Sequence, residues 1–420
     1  MSRRNKTLLI ILIILLGVMA FFWLTRNEPA PAPGEEGVTN FWQQFNPFRS
    51  DAPTPPAPPG EESPPTSDIP PLTSQFRRVS SMPVAGYAVF QRERYKVVEE
   101  GTTTTPSAPE VEIAPALRYV ARVTGNIYQT FADTIDERRF TNTLVPRVYE
   151  AFFGNKAEAV VMRRLKENGK TIETFVGSLP KEVLGGDASG ENEVSGTFRE
   201  DNIADLAVSL DGTKIFYLLG SGENTVGITD NILGGKRVQV FDSPFNEWLS
   251  GWPSLKLITL ATKPSGLVPG HLYALNPDTK SLQNILSGIS GLTALGSPDG
   301  KLILYADGNL SLSIYAPEGR TTVSTGVRTL PEKCVWAKAS ALIYCSVPGF
   351  VPSGIYPDDW YQGEVSFADA IWRIDAETGT GTVVFNPAET LDGIKLILDE
   401  SENYLFLVDK STSILWELEL

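Results

Sequence analysis

The chain has 420 residues, 42% of them hydrophobic and 20% charged, with a formal net charge of −14, one histidine and two cysteines. That length and apolar content support one large globular domain plus tails. The acidity excludes a nucleic-acid role, because phosphate would be repelled, and one histidine with two cysteines supplies too few ligands for a zinc site. No cofactor or metal is expected.

Residues 1–6 form a basic flank carrying Arg3, Arg4 and Lys6. Residues 7–25 follow as an uncharged run, TLLIILIILLGVMAFFWLT. Crossing a hydrocarbon core of about 30 Å needs roughly 20 apolar residues in a helix, and Phe21-Phe22-Trp23 suits the headgroup interface. No small-residue cleavage site follows, so the run reads as an uncleaved signal anchor. Positive charge is concentrated before the span, with Arg26 alone just after it. The positive-inside rule then predicts a single-pass protein with a cytoplasmic N-terminus and an extracytoplasmic C-terminal domain.

Residues 26–79 read as a disordered, Pro-rich linker. Pro29, Pro31 and Pro33 open it, and a second run extends from Pro53 to Pro71. Proline fixes φ and removes a donor, which favours extended polyproline II and a semi-rigid spacer. Phe41-Trp42-Gln43-Gln44-Phe45-Asn46-Pro47-Phe48 interrupts it, either as a docking motif or as an inert linker patch.

From residue 80 to 420 the chain reads as all-β. Short runs rich in Val, Ile, Leu, Tyr and Phe alternate with Gly, Asp, Asn and Pro turns. One recurring unit is strand–tight turn–strand, as in Leu206–Tyr217 around Asp211-Gly212 and Leu295–Tyr305 around Asp299-Gly300. Weaker copies occur at Tyr149–Met162, Trp248–Leu260, Cys334–Tyr344 and Leu396–Leu407. A second unit is a strand ending in an aromatic, at Tyr128, Tyr273, Trp372 and Trp416, usually followed by a polar hairpin. Asp-Gly supplies the positive φ of a tight hairpin, and the two units together make a four-stranded blade. Recurrence at about 40 to 60 residues predicts a β-propeller of six or seven blades, seven being favoured. The last strand, Ile414–Leu420, is expected to share a blade with a strand near Tyr87–Phe90, closing the ring so that no sheet edge stays open.

Ser297-Pro298-Asp299-Gly300-Lys301 before an apolar strand resembles the turn of WD-repeat-like, TolB-type propellers, and Asp211-Gly212-Thr213-Lys214 is a variant without the proline. The stretches Lys333–Trp336, Tyr344–Pro348 and Tyr356–Gly363 are similar to uncharacterised membrane-anchored propellers of small-genome bacteria. The resemblance covers residues 80–420. It implies a fold and a placement but brings no known activity.

Cys334 and Cys345 flank a hairpin turning near Lys338-Ala339-Ser340, so they are candidates for a cross-strand disulfide. Two buried thiols are the alternative. A non-hydrogen-bonded cross-strand pair supplies the close approach that a bridge needs, and an exported domain would let it persist. The long insertion from Pro348 to Phe367 contains Asp358, Asp359, Trp360 and Tyr361, the candidate ligand- or partner-binding residues. Exposed aromatics stack and carboxylates accept hydrogen bonds, which suits a cation, a sugar face or a basic peptide. The same aromatics could instead pin the loop to its blade while the carboxylates cap turns. His271 sits in an ordinary turn-to-strand context, and no catalytic constellation is visible. The sequence therefore favours a membrane-tethered, non-catalytic binding or scaffold module for a protein or cell-envelope ligand. The alternative is a propeller enzyme, carbohydrate-active or of lyase type, with carboxylates and tyrosine in its central funnel.

Overall fold

The computed structural model describes residues 75–96, 110–182, 184 and 192–420. The expected span at 7–25 and the Phe41–Phe48 cluster lie outside these residues. Among the described residues no helix is long and apolar enough to cross a membrane.

Seven four-stranded antiparallel sheets follow one another along the described chain. In sequence order the blades occupy residues 84–139, 148–198, 205–243, 248–290, 293–328 and 334–385. A seventh takes 393–419 together with 76–78. The fold is a seven-bladed β-propeller, the higher of the two expected blade counts. Each blade begins with its inner strand and steps outward, so hydrophobic clusters form within and between neighbouring blades. One such cluster joins Leu304, Leu312 and Ile314 of blade 5 to Trp336, Ile343 and Ile374 of blade 6.

Local chemistry sets the hairpins. In blade 5, Asp299 Oδ1 accepts the Ser297 hydroxyl at 2.6 Å and the Lys301 amide at 3.1 Å, while Gly300 takes a φ of +74°. Blade 3 repeats the device, with Asp211 Oδ1 accepting Ser209 Oγ at 2.6 Å beside Gly212 at +69°. A carboxylate that satisfies the turn and a glycine that tolerates the left-handed region account for these turns.

The ring closes differently from expectation. The outermost strand of blade 7 is Phe76–Arg78, paired as Phe76↔Leu418, Arg77↔Glu417 and Arg78↔Trp416. Tyr87 instead lies on the inner strand of blade 1, Val84–Tyr95. The closing strand thus falls within the stretch read as linker. Phe76 is buried and stacks on Trp416 at 4.9 Å between ring centroids, and Arg77 Nε bonds Glu417 Oε1 at 2.9 Å. Closure joins both ends of the domain in one sheet, whose outer edge is the short strand Phe76–Arg78.

Cys334 and Cys345 face each other in register on the first two strands of blade 6, and their sulfurs are bonded, with Cα atoms 4.0 Å apart.

Candidate functional site at the channel mouth

Antiparallel order places two sets of loops on one face of the ring. Every inner strand starts there, and every second-to-third-strand connection turns there. In blade 6 that connection is residues 349–368, between Leu342–Pro348 and Asp369–Asp375. It carries a short helix, Asp358–Gln362.

This insertion lies across its neighbours. The Gly266 amide of blade 4 donates to Asp358 Oδ2 at 2.7 Å. Over blade 5 the Tyr356 carbonyl comes so close to the backbone that a Cβ on Gly291 would meet it at 2.7 Å. Toward blade 7, Lys410 Nζ donates to the Trp360 carbonyl at 2.8 Å, and the Ser366 and Ser411 hydroxyls lie 3.1 Å apart. Asp359 Oδ2 accepts the Ile355 amide at 2.8 Å and folds the loop on itself.

The anchor beneath the helix is a buried ion cluster. The side chains of Lys333, Asp369 and Asp392 are fully shielded from solvent. Lys333 Nζ donates to Asp369 Oδ2 at 2.7 Å and also to Asp392 Oδ1. Asp392 additionally accepts Trp360 Nε1 at 3.0 Å, Ser366 Oγ at 3.1 Å and the Phe367 amide at 3.2 Å. The Lys333 ammonium sits 5.1 Å from the Phe367 ring centroid and 5.6 Å from that of Trp360. Burial pushes the Asp369 carboxyl up to about 6, against the pull of the Lys333 ammonium. A buried charge is tolerated only when it is paired and hydrogen-bonded, and here the same donors that satisfy Asp392 hold the insertion down.

Among the sequence candidates, Asp358, Asp359 and Trp360 are therefore engaged in holding the insertion, and Trp360 is buried. Tyr361 differs. It is partly exposed, and its hydroxyl donates to Glu332, the residue just before the buried lysine. Glu332 lines a cavity of about 400 Å³ at the channel mouth, together with Asp205, Ser250, Trp252 and Thr293 and apolar walls from Leu249, Pro253 and Leu295. Asp205 Oδ2 accepts the Ser250 amide at 2.5 Å and its hydroxyl at 2.7 Å. Thr293 Oγ1, Trp252 Nε1 and Glu332 Oε2 are buried without a hydrogen-bond partner.

Sequence reasoning missed these cavity residues. They come from the inner strands of blades 3, 4 and 5 and from the turn opening blade 6, and no local motif joins them. Superposing the repeats would have shown that each lies on, or just before, an inner strand. His271, on the third strand of blade 4, meets Thr262 Oγ1 through its backbone, the amide donating at 3.0 Å and the carbonyl accepting at 3.5 Å. Among the described residues no group of three or more His, Cys, Asp or Glu is arranged to hold a metal.

Burial raises the Glu332 carboxyl to about 7, while the Tyr361 hydrogen bond opposes the rise. Burial also raises Asp205, and burial together with Glu332 keeps the Tyr361 phenol neutral. The folded value of Glu332 lies above its unfolded one. Its contribution to stability is thus complete below about 4.5 and is lost as pH climbs through 7. Glu332→Gln cannot ionise. Its melting temperature relative to wild type is expected to rise between pH 5 and pH 8, read by thermal denaturation at both values. A constant difference would show that Glu332 is not shielded as described.

A scan against protein-family models finds no match, and no curated protein matches the sequence. Solved structures do resemble the chain. An oligogalacturonate lyase in complex with manganese gives a TM-score of 0.48 at 10% identity, over 73% of this chain and 85% of that one. An oligogalacturonate lyase from Vibrio parahaemolyticus gives 0.46 at 11% identity, over 80% and 98%. A functionally unknown protein from Desulfotomaculum acetoxidans gives 0.44 at 14% identity, over 73% and 89%. At such low identity and TM-score these likenesses carry no argument about chemistry.

Proposed function

We propose that the chain is a membrane-tethered, extracytoplasmic propeller that binds a protein partner on the insertion-bearing face and has no catalytic role. The tether and placement rest on the apolar run 7–25 and its basic flank. The observation that carries the binding role is the apolar surface around the fixed insertion. Phe245, Leu267 and Val268 are exposed on loops of blade 4 and Phe350 and Ile355 on the blade 6 insertion, with Phe350 76% and Leu267 73% accessible. Ile355 borders Gly266, so the insertion and the blade 4 loop meet there. On the opposite loops Ile135, Leu210, Leu233 and Leu255 are exposed one to a turn, in blades 1, 3 and 4. Exposed apolar side chains on loops that meet mark an interaction surface. The anchored insertion presents this apolar rim already ordered, which lowers the entropy lost on binding.

The test is affinity capture from envelope extract with the full-length protein, run beside Leu267→Ser/Phe350→Ser. The reading expects one protein to be retained by wild type and lost by the double variant while the melting temperature is unchanged. Equal capture by both forms would refute it.

A second reading has one observation in its favour. Asp205 and Glu332 line the same cavity, both with raised carboxyl pKa values, and perturbed carboxylates in a cleft suit acid–base chemistry. A carbohydrate-active or lyase-type enzyme would then turn over a polysaccharide in a substrate panel and lose that activity in Glu332→Gln.

A further inference from the structure

The cavity at the channel mouth is built for a ligand of definite polarity. Its two charged lining residues are both acidic, Asp205 and Glu332, and no lysine or arginine lines it. Glu332 Oε1 receives the Tyr361 hydroxyl, whereas Oε2 has no partner. Thr293, which also lines the cavity, is 2% exposed, and its Oγ1 is likewise unpartnered. Leaving a buried polar atom unpaired costs on the order of 1–3 kcal/mol, so two on residues lining one cavity of about 400 Å³ mark a site that a ligand would complete. That volume falls within the ~300–1,000 Å³ of small-ligand pockets.

The unpaired groups define complementary chemistry. A carboxylate oxygen without a partner calls for a cationic donor, and a planar guanidinium or an ammonium supplies one. A hydroxyl calls for an acceptor nearby. An arginine or lysine residue within a peptide offers both, the cation at the end of its stem and the carbonyl at its base. The apolar walls of Leu249, Pro253 and Leu295 suit the methylene stem between them, as long basic side chains commonly bury their stems.

We propose that this cavity receives one basic side chain of a peptide, with Glu332 holding the cation and Thr293 meeting the carbonyl. This deepens the partner-binding reading, since the cavity opens on the same face as the apolar rim. The channel mouth supplies polar specificity where the rim supplies area.

The test uses the full-length protein and capped single residues, Nα-acetyl-arginine amide and Nα-acetyl-lysine amide, titrated by calorimetry or ligand-observed NMR. Nα-acetyl-citrulline amide is the neutral isostere, and agmatine is the cation without the carbonyl. The capped arginine or lysine is expected to bind saturably, with a Kd on the order of 1 mM or tighter for a ligand of that size. Citrulline should bind at least about tenfold more weakly, as the loss of a charge-assisted hydrogen bond implies. Agmatine should fall between them. Glu332→Gln should weaken the cation by about tenfold and Thr293→Val by a smaller factor, while Tyr361→Phe leaves the carboxylate in place and retains binding. Equal affinity for arginine and citrulline, or binding untouched by both Glu332→Gln and Thr293→Val in correctly folded protein, would overturn the proposal. If capped residues fail while the envelope partner is still captured through the apolar rim, only this inference falls. If capped arginine binds but capture is unaffected by Leu267→Ser/Phe350→Ser, the partner reading falls instead.

Discussion

Lys333→Met is expected to destabilise the propeller by about 3–5 kcal/mol, the usual range when one member of a buried ion pair is removed. Two carboxylates would remain in a space where all three side chains are fully shielded. Asp392 keeps its bonds from Trp360, Ser366 and the Phe367 amide. Asp369 keeps only the Gly393 amide, and its Oδ1 already lacks a partner. Burial raises the Asp369 carboxyl to about 6 even with the lysine beside it, so without the lysine it is driven higher still. The destabilisation should therefore shrink as pH falls toward about 6, because Asp369 takes up its proton in the variant before it does in the wild type, and should level off below that. Urea denaturation at pH 5 and pH 8 reads both effects. A loss below about 1 kcal/mol at pH 8 would mean that the cluster is solvated.

Trp360→Ala is the second large effect, expected at about 3–5 kcal/mol for truncating a buried tryptophan. The ring is 4% exposed and packs with Tyr356 and Phe367. Two cations, Lys333 and Lys410, also approach its ring, the latter 4.8 Å from its centroid. Trp360→Phe separates the contributions. It keeps an aromatic face but removes the Nε1–H donor to Asp392, for an expected loss of about 1–3 kcal/mol. Both variants should free the insertion before the blades melt, seen as earlier protease cleavage within residues 349–368. If Trp360→Ala and Trp360→Phe cost the same, packing of the ring carries little of the anchoring.

The blades were legible because their turns are local. Ser297, Asp299 and Gly300 satisfy one another within four residues, and the third strands of blades 1, 4, 6 and 7 each carry an aromatic, Tyr128, Tyr273, Trp372 and Trp416. The closing strand was not legible. Its identity rests on Arg77 meeting Glu417, a partner 340 positions away, and Phe76-Arg77-Arg78 is too short to show alternation. Lys333 read as an ordinary residue before a strand, because Asp369 and Asp392 lie 36 and 59 positions downstream. The insertion stood out by composition, yet its aromatics divided. Trp360 went under the helix to cover an ion cluster that no local pattern announces, while Tyr361 turned toward Glu332. The cavity residues Asp205, Trp252 and Thr293 occupy ordinary strand positions in three blades, and only ring closure brings them to one mouth.

Both the partner surface and the basic-side-chain cavity depend on the insertion being a fixed part of the ring. Hydrogen–deuterium exchange of the full-length protein over residues 349–368 tests that dependence most directly. The Asp359, Tyr361, Glu364 and Val365 amides are hydrogen-bonded within the insertion, and the anchored arrangement predicts that they exchange as slowly as amides of the inner strands. Exchange at the rate of a free peptide in the wild-type protein would contradict it.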